Sequence, residues 1–186
     1  VSTRANPFTD ALALDGLTRV GRSLERAVHG GPDVDARGDM ALAAYYSGVA
    51  LANAGLGIVH GLASPIGALR EAPHGAVCGT LIAESTSLIV SKLNGEQRSD
   101  SGALALSKYA KAGEALTGED HGSPEANRDA LILLLETWVA GFSIPRLSSY
   151  GFSINDIPSL AAGAGLKNTP VHLNIDEIEN LIRSRW

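Results

Sequence analysis

The stretch Gly57-Ile-Val-His60-Gly-Leu-Ala-Ser64-Pro65-Ile-Gly67-Ala-Leu-Arg-Glu-Ala-Pro73-His74-Gly75 holds two histidines fourteen residues apart. Each is followed by a glycine, so little side-chain bulk crowds the approach to either imidazole ring. Neutral imidazoles are typical ligands of divalent transition metals such as Fe²⁺ or Zn²⁺. A catalytic metal usually has at least three protein ligands and an open position. The two histidines alone therefore predict an incomplete site.

Helix signals extend outward on both sides of this stretch. Asn6-Pro7 is typical of a helix start, and Gly30-Gly31-Pro32 is typical of a helix end. Apolar periodicity and similar signals predict further helices over about 34–54, 57–69 with an interruption at Pro65, 74–93, 101–116, 124–138, 146–150, 153–164 and 174–186. No segment shows the alternation typical of strands. The sequence therefore predicts an all-α domain.

The composition and net charge of the chain argue against several classes of function. The chain has 186 residues, of which 45% are hydrophobic and 19% charged, and a net charge of -5. This acidic balance, with no basic face evident, argues against nucleic-acid or membrane-surface binding. No apolar run has the eighteen or so residues that a membrane span needs, and no signal peptide is evident. Cys78 is the sole cysteine, which precludes an internal disulfide and fits a cytoplasmic location.

The run from Gly55 to Gly79 resembles the second signature of the iron-containing (group III) alcohol dehydrogenases. In that family an Asp and three His hold the metal, and His60 and His74 match the last two His in spacing and context. The segments around Asn6-Pro7 and Asn168-Thr-Pro170 also resemble the family. The resemblance implies the multi-helix C-terminal domain of the dehydroquinate synthase-like, iron-containing alcohol dehydrogenase fold.

Two departures from the family pattern limit this interpretation. The Rossmann-like NAD(P)-binding domain and the Asp-x-x-x-His pair that supplies the other two ligands are absent from residues 1–186. We therefore expect a single helical metal-binding domain, inactive alone and binding metal weakly or not at all, with the missing N-terminal domain as its partner. In addition, Ser64 stands where many members carry a further His. Serine has no group titrating near neutral pH, so it cannot carry a proton as an imidazole does.

For the intact enzyme, the resemblance implies reversible oxidation of a small alcohol to an aldehyde or ketone by hydride transfer to NAD or NADP. Fe²⁺ or Zn²⁺ would act as the metal, with His60 and His74 as two of its ligands. A homo-oligomer is also expected. No catalytic or dinucleotide-binding residue is assigned to this chain.

Other residues and other functions stay open. Cys78 is four residues after His74, so it shares a helix face with it, and it is either a third ligand or a small buried side chain. His29, His121 and His172 are interpreted as a helix-end residue, a solvated residue and a residue with little chance of touching a ligand. The alternatives to the dehydrogenase are a stand-alone helical binding module and a zinc-dependent, glycerol-type polyol dehydrogenase of the same fold.

Overall fold

The computed structural model describes residues 1–95, 99–166 and 168–186, and these residues form helices, turns and loops without a strand. The predicted all-α fold is confirmed. The chain divides into two compact units: Val1–Gly55 with Arg98–Leu131, and Leu56–Gln97 with Ile132–Trp186. The expectation of a single domain over residues 1–186 stays a prediction.

The first unit is built on three long helices: α1 (Pro7–His29), α2 (Val34–Ala54) and α5 (Asp100–Thr117). Helix α1 begins where the sequence predicts. The Asn6 side chain accepts a hydrogen bond from the Thr9 amide, and the Thr9 hydroxyl accepts one from the Asn6 amide. This reciprocal cap satisfies two amides that the first helical turn leaves without partners.

Two glycines let the backbones of the first unit approach closely. A methyl group at Gly21 in α1 would overlap the carbonyl oxygen of Leu116 in α5. A methyl group at Gly113 in α5 would overlap the carbonyl oxygen of Asn127, near the start of α6 (Pro124–Gly141). Any larger residue at Gly21 or Gly113 therefore requires a shift of the neighbouring backbone.

Asp39 joins α2 to α1 through charged hydrogen bonds. Its carboxylate accepts from Arg19 at 2.9 Å, from Arg22 at 2.7 Å and from the buried Ser23 hydroxyl at 2.7 Å. These donors, led by Arg22 and Ser23, lower the pKa of Asp39 well below its usual range. The carboxylate thus stays ionised through the pH range where an exposed Asp would protonate.

The second unit contains α3 (Ile58–Leu69), α4 (His74–Gly95), the later part of α6, α7 (Ile157–Ala162) and α8 (Ile175–Ser184). Two 3-10 turns, Leu147–Tyr150 and Ile154–Asp156, precede α7. Each fully buried aliphatic side chain contributes about 1.5–3 kcal/mol to the hydrophobic term of folding. The largest such side chains of this unit are Ile58, Leu62, Ile66, Leu81, Leu93, Leu147, Ile157 and Ile182.

The predicted interruption of α3 at Pro65 is wrong, because the helix continues to Leu69. Proline has no amide hydrogen to donate to the carbonyl four residues earlier, which is that of Gly61. The Gly61 carbonyl instead accepts from the Gly165 amide at 3.2 Å, in the loop after α7. A methyl group at Gly61 would overlap the Gly165 carbonyl oxygen. The lost helical bond is thus replaced by one that fixes the loop against α3.

Helix α8 is fixed to α4 by an ion pair at its start. The Lys92 ammonium lies 2.7 Å and 2.9 Å from the two carboxylate oxygens of Glu177. Glu177 also closes the predicted capping box with Asn174. Lys92 and the Asn174 amide lower the pKa of Glu177. The final helix therefore starts where the sequence predicts, at the cap of Asn174.

Helix α4 has the length and composition to cross a membrane, with a mean hydropathy of 1.3 over its most apolar window. Half of that window is buried within the fold. A core helix of a folded domain has the same length and hydropathy, so these two properties of α4 give only weak evidence for a membrane-spanning helix.

Candidate metal centre

Helix α3 presents His60 in its first turn. Gly57 is the N-cap of this helix, and its carbonyl accepts a hydrogen bond from the Gly61 amide at 2.9 Å. Ile58 and Leu62 flank His60 in sequence and are buried, so they hold this turn in the core. His60 itself is half-buried.

Helix α4 presents His74 as its first residue. Pro73 precedes it, and the Pro73 carbonyl accepts from the amides of Ala76 and Val77 at 2.9 Å and 3.1 Å. Proline fixes its own backbone before the helix and has no amide that would lack a partner. His74 is exposed, so its ring projects from the helix end.

The two predicted ligands come together. The ring centroids of His60 and His74 lie 5.3 Å apart, with their planes inclined by 51°. Fourteen residues separate them in sequence, and the turn between α3 and α4 brings them side by side. Their role as metal ligands stays a prediction, for which this geometry is a precondition.

Cys78 is a third member of the cluster, one helical turn after His74. Its Sγ lies 3.5 Å from Nε2 of His74, and ligand atoms of His60, His74 and Cys78 all lie within 4.8 Å of one another. Within the described parts of the chain, no other group of three His, Cys, Asp or Glu residues meets this spacing. From the four-residue spacing, the sequence predicts that Cys78 lies on the same helix face as His74, but it does not decide whether Cys78 is a ligand or a small buried side chain.

Burial shifts the pKa of His60 and of Cys78. Desolvation, followed by the neighbouring His74 ring, lowers the pKa of His60, which favours the neutral imidazole that a metal needs. Desolvation raises the pKa of the Cys78 thiol, so it stays protonated at neutral pH while no metal binds.

The donor set fits a divalent transition metal. Two imidazoles and one thiol supply three ligand atoms of the kinds that zinc and its neighbours in the first transition row accept. None of the three side chains is buried completely, so the cluster is open to an entering ion and to a further ligand.

The remaining candidate residues lie outside this cluster. Ser64 is exposed, and its hydroxyl is 3.5 Å from the His60 carbonyl, one helical turn back. His121 in the first unit has its Nε2 3.2 Å from the Thr117 hydroxyl. His29 ends α1, and His172 is exposed in the loop before α8.

A family model matches this chain over its full length, and curated relatives match parts of it. The model of the Fe-containing alcohol dehydrogenase family, C-terminal region, matches residues 1–186. A probable alcohol dehydrogenase, EutG, of Salmonella typhimurium is 32% identical over 147 residues, covering 79% of this chain and 33% of that protein. Alcohol dehydrogenase 4 of Saccharomyces cerevisiae is 46% identical over 82 residues, covering 44% of this chain and 21% of that protein.

A solved structure agrees in fold. The crystal structure of a 1,3-propanediol oxidoreductase superposes with a TM-score of 0.86 at 28% identity, covering 100% of this chain and 47% of that chain. The chain thus spans about half the length of this solved relative and a third or less of the two curated relatives. It belongs to the iron-containing alcohol dehydrogenase family, as a form of that family's C-terminal helical domain.

Proposed function

We propose that this chain supplies half of the metal coordination of an NAD(P)-dependent alcohol dehydrogenase, through His60 and His74. The observation that carries the proposal is the meeting of these two rings, 5.3 Å apart, in a chain that the family model matches over residues 1–186. The reaction is reversible oxidation of a small alcohol to an aldehyde or ketone.

The chain's own residues have two tasks in this proposal. His60, half-buried in the first turn of α3 and with its pKa lowered by burial, provides the more fixed ligand position. His74, exposed at the start of α4, provides an adjustable one. The bound metal would supply a Lewis acid for the alcohol oxygen, while NAD(P)⁺ accepts the hydride.

The rest of the site belongs to the proposed N-terminal part of the intact enzyme. An Asp and a further His from that part would complete the coordination, and a Rossmann-like domain would hold the dinucleotide. On this proposal the 186-residue chain alone is inactive. The intact enzyme acts in the cytoplasm as a homo-oligomer on small-molecule substrates.

The test is a set of His variants in an intact enzyme carrying this domain. We expect His60→Ala and His74→Ala each to weaken metal affinity at least ~100-fold, since loss of a mere supporting residue of a metal site already costs about 10–100-fold. Alcohol-dependent NAD(P)⁺ reduction should fall in parallel. Metal content and the initial rate with short-chain alcohols are the measurements.

His172→Ala is the matched control, because it removes an exposed imidazole of the same unit that lies outside the cluster. It should retain metal and activity. Full metal content and activity in a His60→Ala/His74→Ala double variant would contradict the proposal and favour the stand-alone binding module.

A further inference from the structure

We propose that Cys78 is a third protein ligand, so that His60, His74 and Cys78 form a two-nitrogen, one-sulfur site that this chain holds by itself and that prefers Zn²⁺ to Fe²⁺. The inference rests on the proposed function, because it concerns the same metal position. It goes further by naming a ligand that the family pattern does not supply and by choosing between the two metals that the resemblance leaves open.

The spacing of Cys78 and His74 is that of two ligands on one metal. With metal–nitrogen and metal–sulfur bonds of about 2.0 and 2.3 Å at a tetrahedral angle, the nitrogen and sulfur atoms lie about 3.5 Å apart. The distance between Nε2 of His74 and Sγ of Cys78 is 3.5 Å. Both residues lie on successive turns of α4, so the helix fixes this edge of the tetrahedron.

His60 closes the third corner. All three ligand atoms lie within 4.8 Å of one another, against edges of about 3.3–3.6 Å around a bound zinc ion. The remaining gap is little more than an ångström. A small rotation of the exposed His74 ring and of the Cys78 side chain can close it, since His74 carries little packing to restrain it.

The chemistry of the donors selects the metal. When the metal–sulfur bond forms, the Cys78 thiol releases its proton to solvent and binds as the thiolate. Thiolate is a soft ligand that favours zinc over iron at otherwise similar nitrogen sites, and zinc also lies above Fe²⁺ in the general order of affinity. In the chain by itself, these three ligands would leave the fourth position of a tetrahedral zinc site open.

A simpler interpretation of the 3.5 Å distance is a hydrogen bond between the Cys78 thiol and the His74 ring, with Cys78 serving only to fill space. The two interpretations differ in one measurable respect. Only the ligand interpretation places sulfur on the metal.

The test is a titration of the 186-residue chain with Co²⁺ as a spectroscopic substitute for Zn²⁺, under anaerobic conditions and with a reductant that contains no thiol. We expect one Co²⁺ per chain, a near-ultraviolet sulfur-to-cobalt charge-transfer band and the strong visible bands of a tetrahedral ion. Because Cys78 is the sole cysteine, any sulfur band identifies it without a variant. Stoichiometry that is independent of protein concentration excludes a thiol bridge between two chains.

Variants sharpen the result. Cys78→Ser should abolish the sulfur band and weaken Co²⁺ and Zn²⁺ binding at least tenfold, while His172→Ala leaves both unchanged. Circular dichroism confirms that each variant is folded. Competition with Fe²⁺ should favour Zn²⁺ in the wild type, and this preference should shrink in Cys78→Ser.

Two outcomes overturn the inference. Tight binding without a sulfur band shows that the histidines bind metal and Cys78 does not, which leaves the proposed function standing. Absence of Co²⁺ and Zn²⁺ binding shows that the chain holds no metal by itself. The proposed function is then decided by the His60 and His74 variants in the intact enzyme.

Discussion

The two compact units use the same packing device to different ends. In the first unit, Gly21 and Gly113 bring helix backbones against the carbonyls of Leu116 and Asn127, far in sequence from any cluster of metal ligands. In the second unit, Gly61 brings α3 against the carbonyl of Gly165, and the next residue back is His60. The same kind of close backbone contact therefore joins two helices in the first unit, whereas in the second unit it also holds the turn that carries a candidate ligand.

Among the following variants, we expect Gly61→Ala to lower the free energy of unfolding the most. The added methyl group overlaps a backbone carbonyl, which cannot rotate away as a flexible side chain would. The helix-propensity gain of about 1 kcal/mol is too small to offset this, so we expect a net loss of about 2–4 kcal/mol in unfolding free energy. Metal affinity should fall as well, because the turn that carries His60 is displaced. Urea unfolding and metal titration measure the two effects.

Gly67→Ala is the control on the same helix. A methyl group at Gly67 meets nothing within 4 Å, so the variant should gain up to about 1 kcal/mol and retain its metal affinity. Equal stability of Gly61→Ala and Gly67→Ala would show that α3 and the Gly165 loop are not held as closely as described.

Gly21→Ala tests the same device in the first unit. We expect a loss of about 2–3 kcal/mol in unfolding free energy through the Leu116 carbonyl, without a change in metal affinity. Gly16→Ala on the same helix is the control, since the nearest atoms to its added methyl group lie at 3.9 Å. Loss of metal affinity in Gly21→Ala would break the distinction between the units.

The smallest expected effect is the pH dependence of the stability that the Asp39 carboxylate contributes. The pKa of this carboxyl is lowered in the folded protein, so its stabilisation is fully present above the unfolded value of about 3.9 and is lost as the pH falls below it. Asp39→Asn should therefore be less stable than the wild type at pH 7, and the difference should shrink at pH 3. Urea unfolding at both pH values measures it.

Asp129→Asn, at an exposed position of α6, removes the same charge without these partners and is the control. A difference between wild type and Asp39→Asn that is identical at pH 7 and pH 3 would show that the Arg22 and Ser23 contacts do not set the pKa.

Local signals in the sequence were sufficient for most helix boundaries. Asn6-Pro7 and Asn174 with Glu177 mark helix starts because their side chains satisfy the first amides, which is a property of neighbouring residues. The candidate ligands His60 and His74 were found through the resemblance to a family, and the structure brings them together as that resemblance requires.

Two features could not be predicted from the sequence, because they depend on contacts between residues that are distant along the chain. The continuity of α3 through Pro65 follows from the Gly165 amide, which no local pattern connects to Gly61. The proximity of Cys78 to both histidines depends on the turn between α3 and α4 and on side-chain rotamers. Four-residue spacing places two side chains on one helix face but does not decide whether their ligand atoms converge.

The bond between the Gly165 amide and the Gly61 carbonyl has a consequence for hydrogen exchange. Each other carbonyl in the interior of α3 can accept an amide of its own helix, whereas that of Gly61 faces Pro65. The exchange rate of the Gly165 amide hydrogen therefore reports the opening of contact between the loop and α3, separately from fraying of the helix. The exchange rate of this one amide signal in a nuclear magnetic resonance spectrum would thus measure how often the loop separates from the helical turn that carries His60.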